Sequence, residues 1–329
     1  MVGTQQVSVL PQPRPEINFR ANSESPLKRT NSKSPVGFNR LEILARDFNP
    51  WRVVGTQQRV TPLLVQNEIV SLPSASTISV IRNQFKGRAP AAKTVAVLAD
   101  PIFTTDDQRL TSQPQPSNTT IATDAKRSAA EACRTSDLER LEYSSKEAEE
   151  ILTLVPAAQQ LKALGFNASR ATATSPDLAQ YRMVHFATHG CINEEHPELS
   201  GLVLSLFDEK GNPTDGFLRL HDIYNLNLPA ELVVLSACQT GLGKDVKGEG
   251  LVGLTRGFMY AGAKRVAVSL WRVNDTATSK LMEKYYQQML DKGLNPVAAL
   301  RAAQLEMWQT EQWKAPYYWA AFVVQGEWR

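Results

Sequence analysis

Short apolar runs alternate with longer segments of helical period along most of this chain. The runs are rich in β-branched residues and are bounded by turn residues, which is typical of buried strands. They lie at residues 94–98, 183–187, 202–206, 232–235, 265–270 and 320–324. Near-continuous apolar strands separated by helices predict an α/β fold, with a mostly parallel sheet covered by helices on both faces.

The segments between the strands carry signals of helix starts and ends. Ser144-x-x-Glu147 resembles a capping box, and either Asn274 or Asp275 can cap the helix that follows them. Predicted helices cover residues 144–154, 249–261 and 276–290, and another ends at Gly165. A short helix opens at Ser175-Pro176, and the helix after residue 290 opens at Asn295-Pro296.

The first 60 residues differ from the rest in charge and composition. They contain 9 Lys/Arg and 4 Asp/Glu, a net charge of +5, and are rich in Pro, Ser and Asn. Such a segment buries too little apolar surface to offset its ordering entropy, so residues 1–60 are predicted to be a flexible basic tail. A basic tail can contact a membrane surface or RNA, or be only a solvated extension. The folded domain is expected over residues 61–329.

The overall composition argues against several classes of protein. Lys+Arg number 36 against 33 Asp+Glu, and this net charge of +3 is too even for a dedicated nucleic-acid binder. No stretch approaches the roughly 18 apolar residues of a membrane span. Three cysteines, Cys133, Cys191 and Cys238, are too few for a disulfide framework, which indicates a reducing, cytoplasmic location.

Two of the predicted strands end in residues that can react with a substrate. His189 follows the strand at 183–187, and Cys238 follows the strand at 232–235. Ligands of open α/β sheets bind beyond the carboxyl ends of the strands, so the two side chains face each other if the strands are neighbours. An adjacent histidine lowers the pKa of a thiol or takes its proton, which makes the thiol a nucleophile.

Backbone N–H groups beside this pair, those of Gly190 and Cys238, are candidates for an oxyanion hole. The competing interpretation of Cys238 is a buried core cysteine, which is common in proteins. His185 lies four residues before His189, a separation of roughly 13 Å on a strand, too far for both to bind one metal ion. We therefore expect His185 to be a core histidine bonded to a neighbouring carbonyl, and we expect no metal or cofactor.

Several longer segments resemble one known family. They are LPSAST (72–77), VLADPIF (97–103), SSKEAEEI (144–151), HFATHG (185–190), LVVLSACQTGLGK (232–244), GEGLVGLTRGFMYAGAKRVAVSLWRVND (248–275) and APYYWAAFVVQGEW (315–328). Together they resemble the CHAT domain, a family of caspase- and separase-like cysteine peptidases of bacteria, with many cyanobacterial members. The resemblance covers residues 61–329 and implies a caspase-like α/β fold. It also implies a His/Cys dyad at His189 and Cys238, within a half that spans about residues 180–329.

The same resemblance implies a pocket for the substrate side chain P1, which precedes the cleaved bond. Separase-like relatives hold a basic P1 residue with an acidic residue in a W-x-V-x-D pattern, which falls here on Trp271 and Asp275. Trp271 would supply an apolar wall, and Glu249 is a second acidic candidate. Asp275 can instead be a simple helix cap. Ser236 stands where some relatives with basic specificity have an acidic residue.

The sequence thus predicts a cysteine endopeptidase that cleaves a protein substrate. The alternative is a non-catalytic interaction module that keeps the caspase-like fold. CHAT domains usually follow tetratricopeptide repeats or another sensor module, and this sequence shows none. The chain is therefore expected to be a lone effector, the partner of a separate sensor protein, or a fragment from gene decay, and control by a partner or sensor is the favoured expectation.

Overall fold

The computed structural model describes residues 61–72, 75–110, 138–193, 196–236, 249–271 and 273–328. The predicted tail at residues 1–60 lies outside these ranges. The strands found in the described residues are β1 (Val70–Ser71), β2 (Lys93–Ala99), β3 (Gln160–Leu164), β4 (Tyr181–Ala187), β5 (His189–Cys191), β6 (Gly201–Val203), β7 (Phe217–Arg219), β8 (Leu232–Leu235), β9 (Arg265–Ser269) and β10 (Phe322–Gly326).

Seven of these strands form one sheet, in the order β1-β10-β9-β8-β4-β2-β3. The five strands from β9 to β3 run parallel to one another, whereas β10 is antiparallel to β9 and β1 is parallel to β10. The central strands are buried on both faces, which explains their continuous apolar sequence. The predicted mostly parallel sheet is confirmed.

Helices cover both faces of this sheet, as predicted. The longer helices of the described residues are α1 (Ala75–Phe85), α2 (Glu142–Thr153), α5 (Glu249–Tyr260), α6 (Asp275–Leu290) and α7 (Pro296–Gln309), and the shorter ones are α3 (Arg170–Ala173) and α4 (Leu220–Tyr224). Helices α2, α6 and α7 pack on one face around Ile151, Tyr286 and Leu300. Helices α4 and α5 pack on the other face through Ile223 and Phe258. None of the described helices is both long and apolar enough to cross a bilayer.

Short 3₁₀ turns complete the connections between these elements. They lie at Leu63–Val65, Ala157–Gln159, Gly165–Asn167, Pro176–Gln180, Pro197–Leu199, Glu311–Trp313 and Pro316–Tyr318. The turn at Pro176–Gln180 is the short helix predicted at Ser175-Pro176, and the Ser175 hydroxyl accepts a hydrogen bond from the Asp177 N–H.

A second, three-stranded antiparallel sheet lies beside the carboxyl end of β4. It consists of β5, β6 and β7 in sequence order and has its own small core, which includes Phe103, Leu138 and Phe217. A Cβ atom on Gly201 would lie 2.4 Å from the Leu218 carbonyl oxygen, so β6 and β7 approach too closely for any side chain at this position. Residues 202–206 were predicted to form a strand of the main sheet. Of these, residues 202 and 203 belong to β6, which is a strand of the smaller sheet.

One predicted helix start and one predicted helix are wrong, for reasons visible in the hydrogen bonds. Helix α2 begins at Glu142, so Ser144 lies inside it. The Ser144 hydroxyl accepts a hydrogen bond from the Asp100 N–H and donates one to the Leu141 carbonyl. The helix predicted to end at Gly165 is strand β3, which pairs with β2 along its whole length.

Candidate active site

His189 lies at the junction between the main sheet and the small sheet. Strand β4 ends at Ala187, and His189 is the first residue of β5, where it pairs with Val203 of β6. The hydroxyl of the intervening Thr188 donates a hydrogen bond to the Val203 carbonyl. The small sheet therefore fixes His189 immediately beyond the carboxyl end of β4, as the sequence predicts, and Gly190 follows it within β5.

The imidazole of His189 is held by a backbone carbonyl and an aromatic ring. Its Nε2 atom lies 2.7 Å from the carbonyl oxygen of Glu139. A carbonyl only accepts hydrogen bonds, so Nε2 carries the proton, and in the neutral ring Nδ1 is the atom that can accept one. The ring of Phe103 packs against the imidazole with 4.9 Å between ring centroids. The His189 side chain is therefore buried and oriented.

The strand that precedes Cys238 is the direct neighbour of the strand that precedes His189. Strands β4 and β8 are parallel, with Phe186 opposite Leu235, and the Ser236 N–H donates a 3.0 Å hydrogen bond to the Phe186 carbonyl. The two chains therefore leave the same edge of the sheet side by side, which is the condition on which the predicted dyad depends. Cys238 itself lies outside the described residues.

Asp275 has a different local role from the predicted helix cap. Asn274 is the N-cap of α6, since its side-chain oxygen accepts a 2.9 Å hydrogen bond from the Ala277 N–H. Asp275 is the first residue of the helix, and its Oδ2 accepts a 3.1 Å hydrogen bond from the Tyr143 N–H at the start of α2. The capping function is thus already filled, and the carboxylate of Asp275 points to α2.

The surroundings of Asp275 are acidic and partly buried. Burial raises the pKa of the Asp275 carboxyl above its ordinary value. The hydrogen bond from the Tyr143 N–H opposes this rise, whereas the carboxylates of Glu147, Glu142 and Asp100 add to it. An acidic site of this kind favours a cationic partner, because a cation relieves the repulsion among the carboxylates.

His189 and Asp275 contact the same segment of chain. The partner of His189 is Glu139 and the partner of Asp275 is Tyr143, four positions later. Four residues span at most about 14 Å even when fully extended. The structure thus places these two predicted site residues on one side of the molecule, at either end of the segment that leads into α2.

The two other predicted residues of the P1 pocket are less directly connected to His189. The indole N–H of Trp271 donates a 3.4 Å hydrogen bond to the Tyr317 carbonyl, and the half-buried ring packs against the core beneath α6 and α7. Glu249 is the first residue of α5, and its side chain lies outside the described residues.

His185 belongs to the core, but its partners differ from the single carbonyl that was expected. The side chain is fully buried, with Nε2 2.7 Å from the Glu147 carboxylate and Nδ1 3.1 Å from the Tyr286 hydroxyl. Burial raises the pKa of Tyr286 well above its ordinary value, so the hydroxyl keeps its proton and donates it to Nδ1. Glu147 then accepts from Nε2, and this network connects β4 with α2 and α6.

Cys191, two residues after His189, is disulfide-bonded. Its partner cysteine lies outside the described residues. Disulfides are rare in reducing compartments, so this bond differs from the expectation that the cysteines are reduced. Within the described residues, no group of three or more His, Cys, Asp or Glu side chains is arranged to hold a metal ion.

Comparison with known protein families identifies one family whose model matches most of this chain. The model of the CHAT domain matches residues 47–327. The chain belongs to the CHAT domain family. The motifs that indicated this family in the sequence include VLADPIF and HFATHG, which contribute Asp100, Phe103 and His189 to the site. The fold of this CHAT domain is α/β, with its mostly parallel sheet between two helical layers.

Curated relatives of the CHAT domain match it over a shorter segment. Tetratricopeptide repeat protein 28 of Homo sapiens and the protein of the same name of Mus musculus are each 37% identical over 105 residues. The match covers 32% of this chain and 4% of either relative.

Solved structures show a more distant likeness. Two crystal structures of the Saccharomyces cerevisiae separase–securin complex match this chain with a TM-score of 0.42 each. The match covers 79% of this chain and 14% of the matched chain in the complex. Sequence identity is 14% in one and 13% in the other.

Three contributors to this site are absent from the sequence-based prediction. Glu139 acts through its backbone carbonyl, which leaves no signal in the sequence. Phe103 and Asp100 follow the apolar run of β2, and the polar residue at the end of a buried parallel strand is a signal that could have drawn attention to Asp100.

Proposed function

We propose that this CHAT domain is a cysteine endopeptidase that hydrolyses peptide bonds of a protein substrate, with Cys238 as nucleophile and His189 as acid and base. The observation that carries the proposal is the hydrogen bond from His189 Nε2 to the Glu139 carbonyl. This bond leaves Nδ1 as the proton acceptor of a buried imidazole, at the sheet edge from which the chain of Cys238 also leaves. A core histidine without a catalytic task needs no such location.

The reaction that these groups can perform has two stages. His189 Nδ1 takes the proton of the Cys238 thiol, and the thiolate attacks the substrate carbonyl, with the N–H groups of Gly190 and Cys238 as proposed donors to the oxyanion. The imidazolium returns its proton to the leaving amine, and an acyl thioester remains on Cys238. Water, deprotonated by His189, then attacks the thioester and releases the carboxylic acid and the thiol.

Alkylation of Cys238 by iodoacetamide tests this proposal without a known substrate. Because a histidine-paired thiol is ionised below its usual pKa of about 8.5, we expect Cys238, once the disulfide of Cys191 has been reduced, to be alkylated at pH 6–7 much faster than Cys133 or Cys191 in the same chain. In His189→Gln this advantage should disappear. The measurement is the alkylation rate of each cysteine against pH, by peptide mass spectrometry.

The result that contradicts the proposal is equally direct. If Cys238 follows an ordinary thiol profile in both wild type and His189→Gln, the dyad does not exist. The non-catalytic interaction module would then be the remaining function for this fold.

Asp275 is the residue we propose for the recognition of a basic P1 side chain. Its carboxylate is not used as a helix cap, and the carboxylates around it make the site attractive to a cation. A guanidinium would suit it better than an ammonium, because its fork can bind a carboxylate through two parallel hydrogen bonds. Trp271 and Glu249 remain proposed secondary contributors to this pocket.

Replacing Asp275 by asparagine is expected to lower kcat/KM for substrates with Arg at P1 about 10- to 100-fold, the usual worth of a hydrogen bond to a charged group. Asparagine can still accept the hydrogen bond of Tyr143, so the fold is preserved.

In wild type, protonation of Asp275 removes the charge. Because the pKa is raised, cleavage after Arg should decline at a higher pH than an ordinary aspartate would cause.

A peptide library and a pH profile of KM provide the measurement. Asp291→Asn, at the exposed carboxyl end of the same helix, is the matched control. It should change neither the P1 preference nor the pH dependence of KM. A preference for Asp or apolar residues at P1, or an unchanged acidic limb in Asp275→Asn, would disprove the assignment.

We also propose that a sensor protein controls the activity. The curated relatives carry tetratricopeptide repeats in their name, which supports a repeat-containing protein as that partner. No nucleic acid or cofactor takes part in the proposed reaction, and a cytoplasmic location remains an expectation from composition.

A further inference from the structure

Asp100 occupies an unusual backbone position at the carboxyl end of β2. Its φ angle is 51°, in the left-handed region that residues other than glycine seldom adopt. Pro101 follows it, and the side chain of Asp100 is 5% exposed. A buried carboxylate in a strained turn at the edge that carries His189 needs a specific role.

Two arginines hold the Asp100 carboxylate. Arg140 binds it through two parallel hydrogen bonds, from Nε to Oδ1 at 2.9 Å and from Nη2 to Oδ2 at 2.8 Å. Arg109 donates from Nη1 to Oδ2 at 2.7 Å and to the Asp100 carbonyl at 3.0 Å. Arg109 is itself fixed by two hydrogen bonds to the carboxylate of Asp107. The carboxylate thus has a full set of partners.

The contact with Arg140 acts directly on the segment that orients His189. Arg140 follows Glu139, so the peptide group between them carries the carbonyl that accepts from His189 Nε2. On the other side, the Asp100 N–H binds the Ser144 hydroxyl, which in turn donates to the Leu141 carbonyl at 2.6 Å. Asp100 therefore holds this segment both before and after the start of α2.

The same turn places the second group that touches the imidazole. Phe103 follows Asp100 by three residues, and its ring packs against His189. The Ile102 N–H between them donates a 3.0 Å hydrogen bond to the Ser205 hydroxyl, which fixes the turn to the loop beyond β6. The turn that begins at Asp100 therefore governs both contacts of the His189 ring described above.

We propose that Asp100 and Arg140 are positioning residues for His189, which clamp the Glu139 carbonyl so that the imidazole keeps its proton on Nε2 and presents Nδ1 to the thiol. This inference rests on the proposed peptidase function, in which Nδ1 is the acid and base. The side chain of Arg140 is 44% exposed, and ion pairs at such exposure contribute little to stability. The value of the contact lies in the orientation of the carbonyl.

Arg140→Gln is the decisive variant. Asp100 keeps its bonds to Arg109 in this variant, so no buried charge is left unpaired and the fold should persist. We expect the proton of His189 to become shared between Nε2 and Nδ1, and kcat to fall roughly 10- to 100-fold, with KM nearly unchanged. The tautomer is read from NMR spectra of the full chain with ¹⁵N-labelled histidine.

Three controls separate orientation from charge and from general stability. Arg140→Lys keeps the charge but loses the two-pronged geometry, so it should not restore the single tautomer. Arg109→Gln removes the other arginine that binds the Asp100 carboxylate. Arg109 is not adjacent to Glu139 in the chain, so its loss should disturb His189 less. Arg170→Gln breaks a comparable half-exposed pair with Asp222 elsewhere and should leave the His189 spectrum unchanged.

The outcomes are distinguishable from failure of the peptidase proposal. The tautomer of His189 is measurable whether or not the chain cleaves any substrate. A single Nε2-protonated tautomer in Arg140→Gln, full restoration by Arg140→Lys, or equal effects of Arg109→Gln and Arg140→Gln would each overturn the positioning role. If Cys238 of the wild type shows no faster alkylation than the other cysteines, the proposed peptidase function is overturned, and the measured tautomer still decides the positioning role.

Discussion

Replacing Cys238 by alanine is expected to abolish cleavage of a protein substrate, and His189→Ala should lower kcat/KM by about 10²- to 10⁴-fold. The first change removes the nucleophile, and the second removes the group that ionises it and protonates the leaving amine. Because the two residues act as a unit, the double variant should be no worse than Cys238→Ala alone. The measurement is kcat/KM on one validated peptide substrate.

His185→Gln is the comparison that gives this experiment its specificity. His185 is four residues away on β4, fully buried and bonded to Glu147 and Tyr286. Its replacement should reduce stability and leave kcat/KM of the folded fraction within a few-fold. Cleavage that survives in Cys238→Ala, or a larger loss of kcat/KM in His185→Gln than in His189→Ala, would contradict the proposed dyad.

Replacing Glu147 by alanine is expected to lower the free energy of unfolding by about 2–5 kcal/mol, because a buried N–H that loses its acceptor costs about 1–3 kcal/mol and the lost side chain adds the cost of a cavity. Glu147 is 2% exposed, and its removal leaves Nε2 of the buried His185 without its carboxylate. The loss also opens a cavity between α2 and β4. Urea unfolding followed by circular dichroism measures the change.

Glu149→Ala provides the matched control on the same helix. Its carboxylate is 62% exposed and makes a 3.4 Å ion pair with Lys162, so the free energy of unfolding should change by about 0.5 kcal/mol or less. Equal effects of the two substitutions would show that the network around His185 contributes nothing beyond helix propensity.

The central strands of the sheet could be predicted from the sequence because they are buried on both faces. Residues 232–235 form β8 as predicted, and every one of them is buried. Strand β3 was missed because it lies at the edge of the sheet, where Lys162 is exposed and the sequence QLKAL favours a helix. Pairing with β2 overrides that preference, and no local pattern reports such pairing.

In the candidate site, the sequence predicts the residues that follow buried strands, but it does not predict their contacts with residues far away along the chain. His189 was found because it follows an apolar run, but its partner Glu139 lies 50 residues earlier and contributes a backbone atom. The pairing of Asp100 with Arg140 spans 40 residues, and charge alone does not indicate it. The role of Asp275 depended on whether Asn274 or Asp275 caps α6, since both residue types are good caps.

The place of β10 in the sheet has a consequence for the order of events during synthesis. Strand β10 pairs with β9 on one side and with β1 on the other, and β1 and β10 lie near opposite ends of the described chain. Contacts of such long range form late, so a growing chain carries β9 as an open edge until β10 has left the ribosome. Exposed edges of this kind recruit other strands, which makes the nascent chain vulnerable to aggregation until its last described strand is inserted.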